Sequence, residues 1–137
     1  MSRGLLLPTH GGADPVALAV RAESLGYDAV WLPELWGEST PVVAAEIATR
    51  TDRVGIGTAI LNVFSRSPAV LAMTAASLDR ASNGRFVLGV GTSTEKAVSD
   101  LHGASFDRPV RRAHETIELV RRFTRSSEPV DYDGEVF

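Results

Sequence analysis

The chain has 137 residues, 44% of them hydrophobic, which is sufficient for one domain with a hydrophobic core. It has no cysteine, which excludes disulfides, thiolate nucleophiles and cysteine-ligated metals, and its three histidines are scattered. The net charge of −3 gives no electrostatic support for nucleic-acid binding. Because no apolar run approaches the roughly 20 residues of a membrane span and the start is too short for a signal peptide, we expect a cytoplasmic protein.

A polar residue followed by proline recurs at Asp14-Pro15, Thr40-Pro41 and Ser67-Pro68. Proline is favoured at the first helical position, and the side-chain oxygen before it can cap the next free amides. Each pair follows a short apolar run, and the prolines are 26 and 27 residues apart. That spacing is typical of a strand followed by a helix, so it predicts βα units of a parallel sheet.

The predicted elements follow in chain order: strands at 5–7, 28–32, 54–61 and 86–91, and helices at 14–25, 41–51, 68–81 and 109–124. A segment rich in Ser, Thr, Gly and Asp, residues 92–107, widens the loop after the fourth strand. Loops on this side of a parallel sheet often carry function. The tail, 130–137, alternates around Asp133-Gly134 and predicts a hairpin.

Residues that follow the strands should face one rim of the sheet. They are Thr9 and His10, then Glu34, Leu35 and Trp36, then 59–62, and then 91–95. This rim offers a carboxylate near an indole, a histidine, and several hydroxyls and amides, which suits an aromatic, hydrogen-bonding ligand. Glycines at 55, 57, 89 and 91 favour either tight packing inside a barrel or close approach of a flat ligand.

Three parts of the chain resemble the luciferase-like monooxygenase superfamily: Asp28–Glu34, Gly55–Asn62 with Ser67–Ala72, and Gly84–Ser93. Leu101-His102-Gly103 with Phe106–Pro109 resembles its deazaflavin branch, the oxidoreductases that use coenzyme F-420. The resemblance implies an α/β fold, four βα units of a (β/α)8 barrel with parallel strands in the order 1-2-3-4, followed by a hairpin-like tail. Residues 1–125 would form this half barrel and 126–137 the start of an insertion.

The resemblance also implies where a cofactor would lie. A non-proline cis peptide would fall at Ala59-Ile60, and Asn62, Gly91, Thr92 and Ser93 match rim positions that contact the cofactor. The family has a histidine after the acidic residue of the second strand, whereas this chain has Leu35 after Glu34. Leucine cannot relay a proton, so the catalytic candidates are Glu34, Trp36 or a residue of the missing half, unless the reduced deazaflavin delivers hydride without such an acid.

The implied function is hydride transfer between reduced coenzyme F-420 and an organic substrate. Two alternatives remain open: an FMN-dependent luciferase-like monooxygenase, and a non-catalytic remnant that keeps an association surface. The resemblance further implies a homodimer through helices 41–51 and 68–81, and a C-terminal half that would supply strands five to eight. An open four-stranded piece exposes edges and apolar surface, so we expect it to associate.

Overall fold

The computed structural model describes residues 3–8 and 10–137, so Thr9 lies outside the described residues. The helices are α1 (Pro15–Ser24), α2 (Thr40–Arg50), α3 (Pro68–Ala81), α4 (Glu95–His102) and α5 (Pro109–Arg125). The strands are β1 (Gly4–Leu6), β2 (Ala29–Leu32), β3 (Gly55–Thr58), β4 (Leu61–Asn62), β5 (Phe86–Val87) and β6 (Val90–Gly91). Among the described helices, none is long and apolar enough to cross a membrane.

The strands form two sheets. Strands β1, β2, β3 and β5 are parallel neighbours in that order, and β4 pairs with β6. This arrangement confirms the predicted α/β class and the sequential order of the parallel strands. The chain forms two compact units, residues up to Leu61 with Ser77–Gly89, and Asn62–Ala76 with Val90–Phe137.

Local sequence explains most helix starts. The Asp14 carboxylate accepts hydrogen bonds from the N–H groups of Val16 and Ala17 at 2.9 and 3.0 Å, which caps α1 as predicted. Ser67 accepts from the Val70 N–H at 3.3 Å at the start of α3. The prediction for Thr40 was wrong, because its hydroxyl donates to the Pro33 carbonyl at 2.9 Å and is buried.

The structure corrects three further expectations. The predicted strands 54–61 and 86–91 are each interrupted, the first after Thr58 and the second after Val87. The widened loop 92–107 contains α4, capped by Thr94. Residues 126–137 contain no strand, so the hairpin is absent; a turn closed by the Gly134 N–H to the Phe137 carbonyl, at 2.7 Å, takes its place.

The core of the first unit lies between the parallel sheet and its helices. Alternate strand residues point towards α1 and α2 and are at most 1% exposed: Leu7, Val30, Leu32 and Ile56. Small and branched helix residues meet them, including Ala19, Ala22, Ala44 and Ile47. This packing buries one face of the sheet, and because the strands are parallel, the loops that follow them emerge at one end.

At the amino end of β3, two charged side chains hold the segment 51–54. The Glu23 carboxylate accepts from the N–H groups of Asp52, Arg53 and Val54, the shortest at 2.7 Å. Burial would raise the pKa of Glu23, but these donors lower it below its ordinary value of 4.5. Arg85 donates to the carbonyls of Ala48, Thr51, Val54 and Ser82 and to the Thr51 hydroxyl, at 2.7 to 3.1 Å.

In the second unit, α5 holds the tail. The Glu115 carboxylate, 4% exposed, accepts from the N–H groups of Glu135, Val136 and Phe137 at 2.9 to 3.1 Å. A Cβ at Gly134 would lie 2.5 Å from Glu115 Oε2, so only glycine permits this approach. The Arg112 guanidinium lies 5.0 Å from the Phe137 ring.

Arg85→Met should lower the free energy of unfolding by about 3 kcal/mol, because it leaves several carbonyls without donors. The matched control is Arg80→Met, since Arg80 is exposed on α3. Chemical denaturation measures both. Equal losses in the two variants would contradict a specific role for Arg85.

Glu115→Gln should be less stable than the unaltered chain near neutral pH. Burial would raise the pKa of Glu115, but the three backbone donors and nearby Arg111 hold it below its ordinary value of 4.5. The stabilisation is therefore present above pH 4.5 and is lost as the pH falls through the folded-state pKa. Denaturation across this range should show the difference between the two proteins shrinking towards zero in acid.

The control for Glu115→Gln is Glu118→Gln, which removes an exposed carboxylate of the same helix that pairs with Arg122. Its effect on stability should be small at every pH, because exposed ion pairs contribute little. If the stability difference between Glu115→Gln and the unaltered chain stayed constant down to the lowest pH measured, the lowered pKa of Glu115 would be contradicted.

Candidate functional site

The loop after β2 carries the predicted catalytic residues. Glu34 is half-buried, whereas Leu35 and Trp36 are 67% and 77% exposed. The hydrogen bond from Thr40 to the Pro33 carbonyl ties the start of this loop to the first turn of α2. The loop therefore presents an indole and a neighbouring carboxylate at the carboxyl end of β2, as the sequence predicted.

The interruption after β3 has a specific cause. The Thr58 hydroxyl donates to the Gly89 carbonyl at 2.8 Å and accepts from the Gly89 N–H at 2.9 Å. Thr58 is 1% exposed, and a Cβ at Gly89 would overlap the Thr58 carbonyl. The hydroxyl thus takes the place of a backbone acceptor for the Gly89 N–H where the ladder is interrupted, and beyond it the chain pairs again as β4 and β6.

The peptide bond Ala59-Ile60 is cis, which confirms the prediction for this position. The residues on either side remain in the hydrogen-bond ladder. The Ala59 N–H donates to the Leu32 carbonyl at 2.8 Å, and the Leu61 N–H donates to the Gly89 carbonyl at 2.9 Å. Ala59 is exposed and Ile60 is half-buried. The first unit therefore offers an open stretch of backbone at the carboxyl end of β3.

In the second unit, the structure brings Asn62 and Gly91 together. The Val63 N–H donates to the Gly91 carbonyl at 3.0 Å, within the β4–β6 pair. Asn62 is 3% exposed, and its Oδ1 accepts from the Phe64 N–H at 2.9 Å. Its buried Nδ2 has no hydrogen-bond partner among the described residues. A buried donor of this kind calls for an acceptor that the protein does not supply.

Thr92 and Ser93 are half-buried and follow β6 directly. Ser93 has φ +59°, a left-handed conformation that is uncommon for a residue other than glycine. Thr92 Oγ1 lies 3.3 Å from the Ser93 carbonyl, to which it donates. The turn at Ser93 directs the chain into α4, whose cap is Thr94. Non-glycine residues in this conformation often occur at functional sites.

The predicted site residues fall into two sets. Glu34, Trp36, Ala59 and Ile60 lie in the first unit, and Asn62, Gly91, Thr92 and Ser93 lie in the second. His10 is exposed in the loop after β1. In the described ranges, 3–8 and 10–137, no cluster of three metal-ligating side chains occurs.

Sequence reasoning missed the roles of Thr58 and Gly89. The available signal was the pair of glycine-containing strands. Thr58 is the last residue of β3, and Gly89 lies in the interruption between β5 and β6. The glycines predicted that the backbone of these strands would be closely approached, either by packing inside a barrel or by a ligand. They did not predict that the partner of Gly89 is a threonine hydroxyl.

Comparison with known proteins agrees with this geometry. Residues 2–137 match the family model of the luciferase-like monooxygenases, and the chain belongs to this family. It is 34% identical over 137 residues to a candidate coenzyme F-420-dependent oxidoreductase of Mycobacterium tuberculosis, covering 98% of this chain and 40% of that protein. It is 36% identical over 140 residues to an F-420-dependent glucose-6-phosphate dehydrogenase of Amycolatopsis mediterranei, covering 93% and 42%.

Among solved structures, an F-420-dependent secondary alcohol dehydrogenase in complex with an F-420-acetone adduct superposes with a TM-score of 0.85. The match covers 98% of this chain and 45% of that one at 24% identity, which shows the shared fold. The chain spans about two fifths of the length of the curated relatives it matches. The four βα units are thus those of the predicted half barrel.

Thr58→Val should lower the free energy of unfolding by about 1 to 3 kcal/mol, because it keeps the side-chain shape and leaves the Gly89 N–H without its acceptor, while the Gly89 carbonyl keeps only the Leu61 N–H as a donor. Thr49→Val is the control, since the Thr49 hydroxyl donates to a carbonyl within its own exposed helix face. Denaturation measures both variants. A Thr58→Val protein as stable as Thr49→Val would contradict this role.

Proposed function

We propose that this chain supplies the first four βα units of a coenzyme F-420-dependent oxidoreductase that transfers hydride between the reduced coenzyme and an organic substrate. The observation that carries the proposal is the interruption of the strands after Thr58 and Val87, which leaves Ala59 exposed at the carboxyl end of β3. This is the end of the strands at which barrel enzymes bind their ligands. The two relatives named for F-420 support the choice of cofactor.

Within each unit, taken by itself, the residues present suit contact with part of a flat, hydrogen-bonding cofactor. In the first unit, Ala59 and Ile60 would contact the ring through exposed or half-buried apolar surface. In the second, Asn62, Gly91, Thr92 and Ser93 offer an amide donor without a partner, backbone groups and two hydroxyls. When bound, the reduced deazaflavin supplies the hydride. The donors of this chain would orient it.

We assign the proton-handling role to Glu34, the carboxylate of the loop after β2. Leu35 cannot carry a proton, so the position that holds a histidine in the family contributes only apolar surface here. Trp36, which is 77% exposed, would cover the ring or the substrate and exclude water. The separation of roles is testable, because a covering residue affects binding and a proton donor affects turnover.

The remaining half of the barrel is also part of the proposal. Residues 1–125 would form the N-terminal half and 126–137 the start of an insertion, with strands five to eight supplied by further polypeptide. Dimerisation through helices 41–51 and 68–81 is supported by Val42 on α2 and Met73 on α3, which are 66% and 62% exposed. Exposed apolar residues on helices favour association.

Titration of the purified chain should show F-420 binding, detected by the fluorescence change of the coenzyme, with weaker binding of FMN. Preference for FMN would favour the monooxygenase alternative. If neither cofactor bound at saturating concentration, the result would contradict both enzyme assignments for this chain and favour the non-catalytic remnant.

Trp36→Leu should weaken F-420 binding about 2- to 10-fold, the range expected for loss of an aromatic contact. Leu35→Ala is the matched control, since Leu35 is the neighbouring exposed apolar residue and has no ring. An equal loss of affinity in both variants would indicate a general effect of the loop rather than stacking by Trp36.

Glu34→Gln should lower turnover by about 10² to 10⁴, with the Kd for F-420 unchanged within about twofold, because it removes a proton donor and keeps the side-chain shape. Reoxidation of the reduced coenzyme with a panel of carbonyl and imine acceptors provides the assay. Glu38→Gln, an exposed carboxylate of the same loop, is the control. Normal turnover in Glu34→Gln would reassign the proton donor.

A further inference from the structure

The turn that follows α3 places an exposed asparagine directly before a glycine. Asn83 and Gly84 have φ values of +54° and +79°, the left-handed conformation in which many helices end and which these two residue types adopt most readily. Both residues are exposed, and a Cβ at Gly84 would meet nothing within 4 Å. The Asn83 side chain is therefore open to water, and the backbone beside it is not hindered.

An asparagine followed by glycine is prone to deamidation, because glycine has no side chain to hinder attack by its own nitrogen. The Gly84 nitrogen bonds to Cγ of Asn83, and its proton leaves with the side-chain nitrogen as ammonia, which produces a cyclic imide. Water then opens the imide on either side. Opening at Cγ gives aspartate, whereas opening at the main-chain carbonyl gives isoaspartate, in which the main chain runs through Cβ and Cγ.

Contacts on both sides of the turn restrain this reaction in the folded chain. The Gly84 N–H, whose proton must be lost, donates to the Asp79 carbonyl at 2.8 Å. Directly after the turn, Arg85 donates to the carbonyls of Thr51 and Val54, each at 2.7 Å. The Gly84 nitrogen becomes available only when the end of α3 opens, and local opening of this kind occurs in folded proteins.

We propose that Asn83-Gly84 is a spontaneous modification site, at which deamidation follows opening of the α3 end and the isoaspartate product keeps the turn from closing again. Isoaspartate lengthens the main chain by a methylene group, so the Gly84 N–H and the Arg85 guanidinium lose the spacing that their partners require. Aspartate leaves the main chain unchanged and adds only a charge. The isoaspartate route thus converts a reversible opening into a permanent loss of contacts at the amino end of β3.

The composition of the chain makes the reaction easy to follow, because the sequence has two asparagines and no glutamine. Trypsin cleaves after Arg80 and Arg85, so Asn83 is recovered in the peptide 81–85. During incubation at mildly alkaline pH, this peptide should gain the mass of an amide-to-acid conversion and separate into aspartate and isoaspartate forms. Asn62 is the internal control, since it is buried and precedes a β-branched valine, and its peptide should not change.

Loosening the turn should accelerate the reaction. Arg85→Met should deamidate about 5- to 10-fold faster than the unaltered chain, the factor expected when roughly one hydrogen bond no longer opposes opening. Its Asn83 peptide then runs to Lys96, the next cleavage site. Thr58→Val is the matched control, because it lowers the stability of the first unit at the other end of β3. Chain held in denaturant gives the unrestrained rate.

Stability after incubation tests the effect of the product. The incubated chain should unfold at a lower denaturant concentration than fresh chain, and the easily unfolded fraction should be enriched in isoaspartate. Asn83→Gly keeps a residue that tolerates positive φ but has no amide, so its stability should not change on incubation. Asn83→Asp supplies the aspartate product and should be about as stable as fresh chain.

Four results would overturn the proposal. They are an unchanged peptide 81–85 when denatured chain is fully converted, equal rates in folded and denatured chain, equal acceleration by Arg85→Met and Thr58→Val, and isoaspartate-containing chain as stable as fresh chain. None of these measurements involves F-420, so failure of this proposal and failure of the proposed function are distinguishable.

Discussion

The reciprocal hydrogen bonds between the Thr58 hydroxyl and Gly89 determine how the strands of this protein end. A hydroxyl can donate and accept at once, so one side chain satisfies both backbone groups of Gly89. A backbone N–H without a partner is costly, and at the interruption the Thr58 hydroxyl is the acceptor of the Gly89 N–H, whereas the Gly89 carbonyl also accepts from the Leu61 N–H. The residues that the family resemblance assigns to the cofactor follow directly: Ala59 and Ile60 after Thr58, and Gly91 shortly after Gly89.

At the amino end of β3, two charged side chains stabilise the first unit. Glu23 binds three consecutive backbone N–H groups before β3, and Arg85 binds the carbonyls around them. Charge-assisted bonds of this kind are stronger than neutral ones, and here they fix the helix ends to the strand starts. The carboxyl ends carry instead an exposed indole and open backbone. Parallel barrel folds are expected to be stabilised at the amino ends of their strands, and the site proposed above lies at the carboxyl ends.

The second unit is organised around α5. Glu115 and Arg112 lie on neighbouring turns, and between them they hold the backbone and the ring of Phe137. The same Arg112 guanidinium lies 4.8 Å from the Phe64 ring, which stacks on Phe106 at 5.1 Å. One helix face thus orders the segment after Asn62 and the end of the tail together. These contacts explain why the tail does not form the expected hairpin: the N–H groups of Glu135, Val136 and Phe137 bond to the Glu115 carboxylate instead of to another strand.

The sequence by itself determined the number and direction of the βα units, because proline and its capping neighbour act within one turn of the chain. It also identified the family and the position of the cis peptide, since these are carried by contiguous motifs. The tertiary structure alone decided where the strands are interrupted, how the tail is held, and that α4 forms after Ser93. The first two depend on partners distant in sequence: Thr58 with Gly89, and Glu115 with Val136.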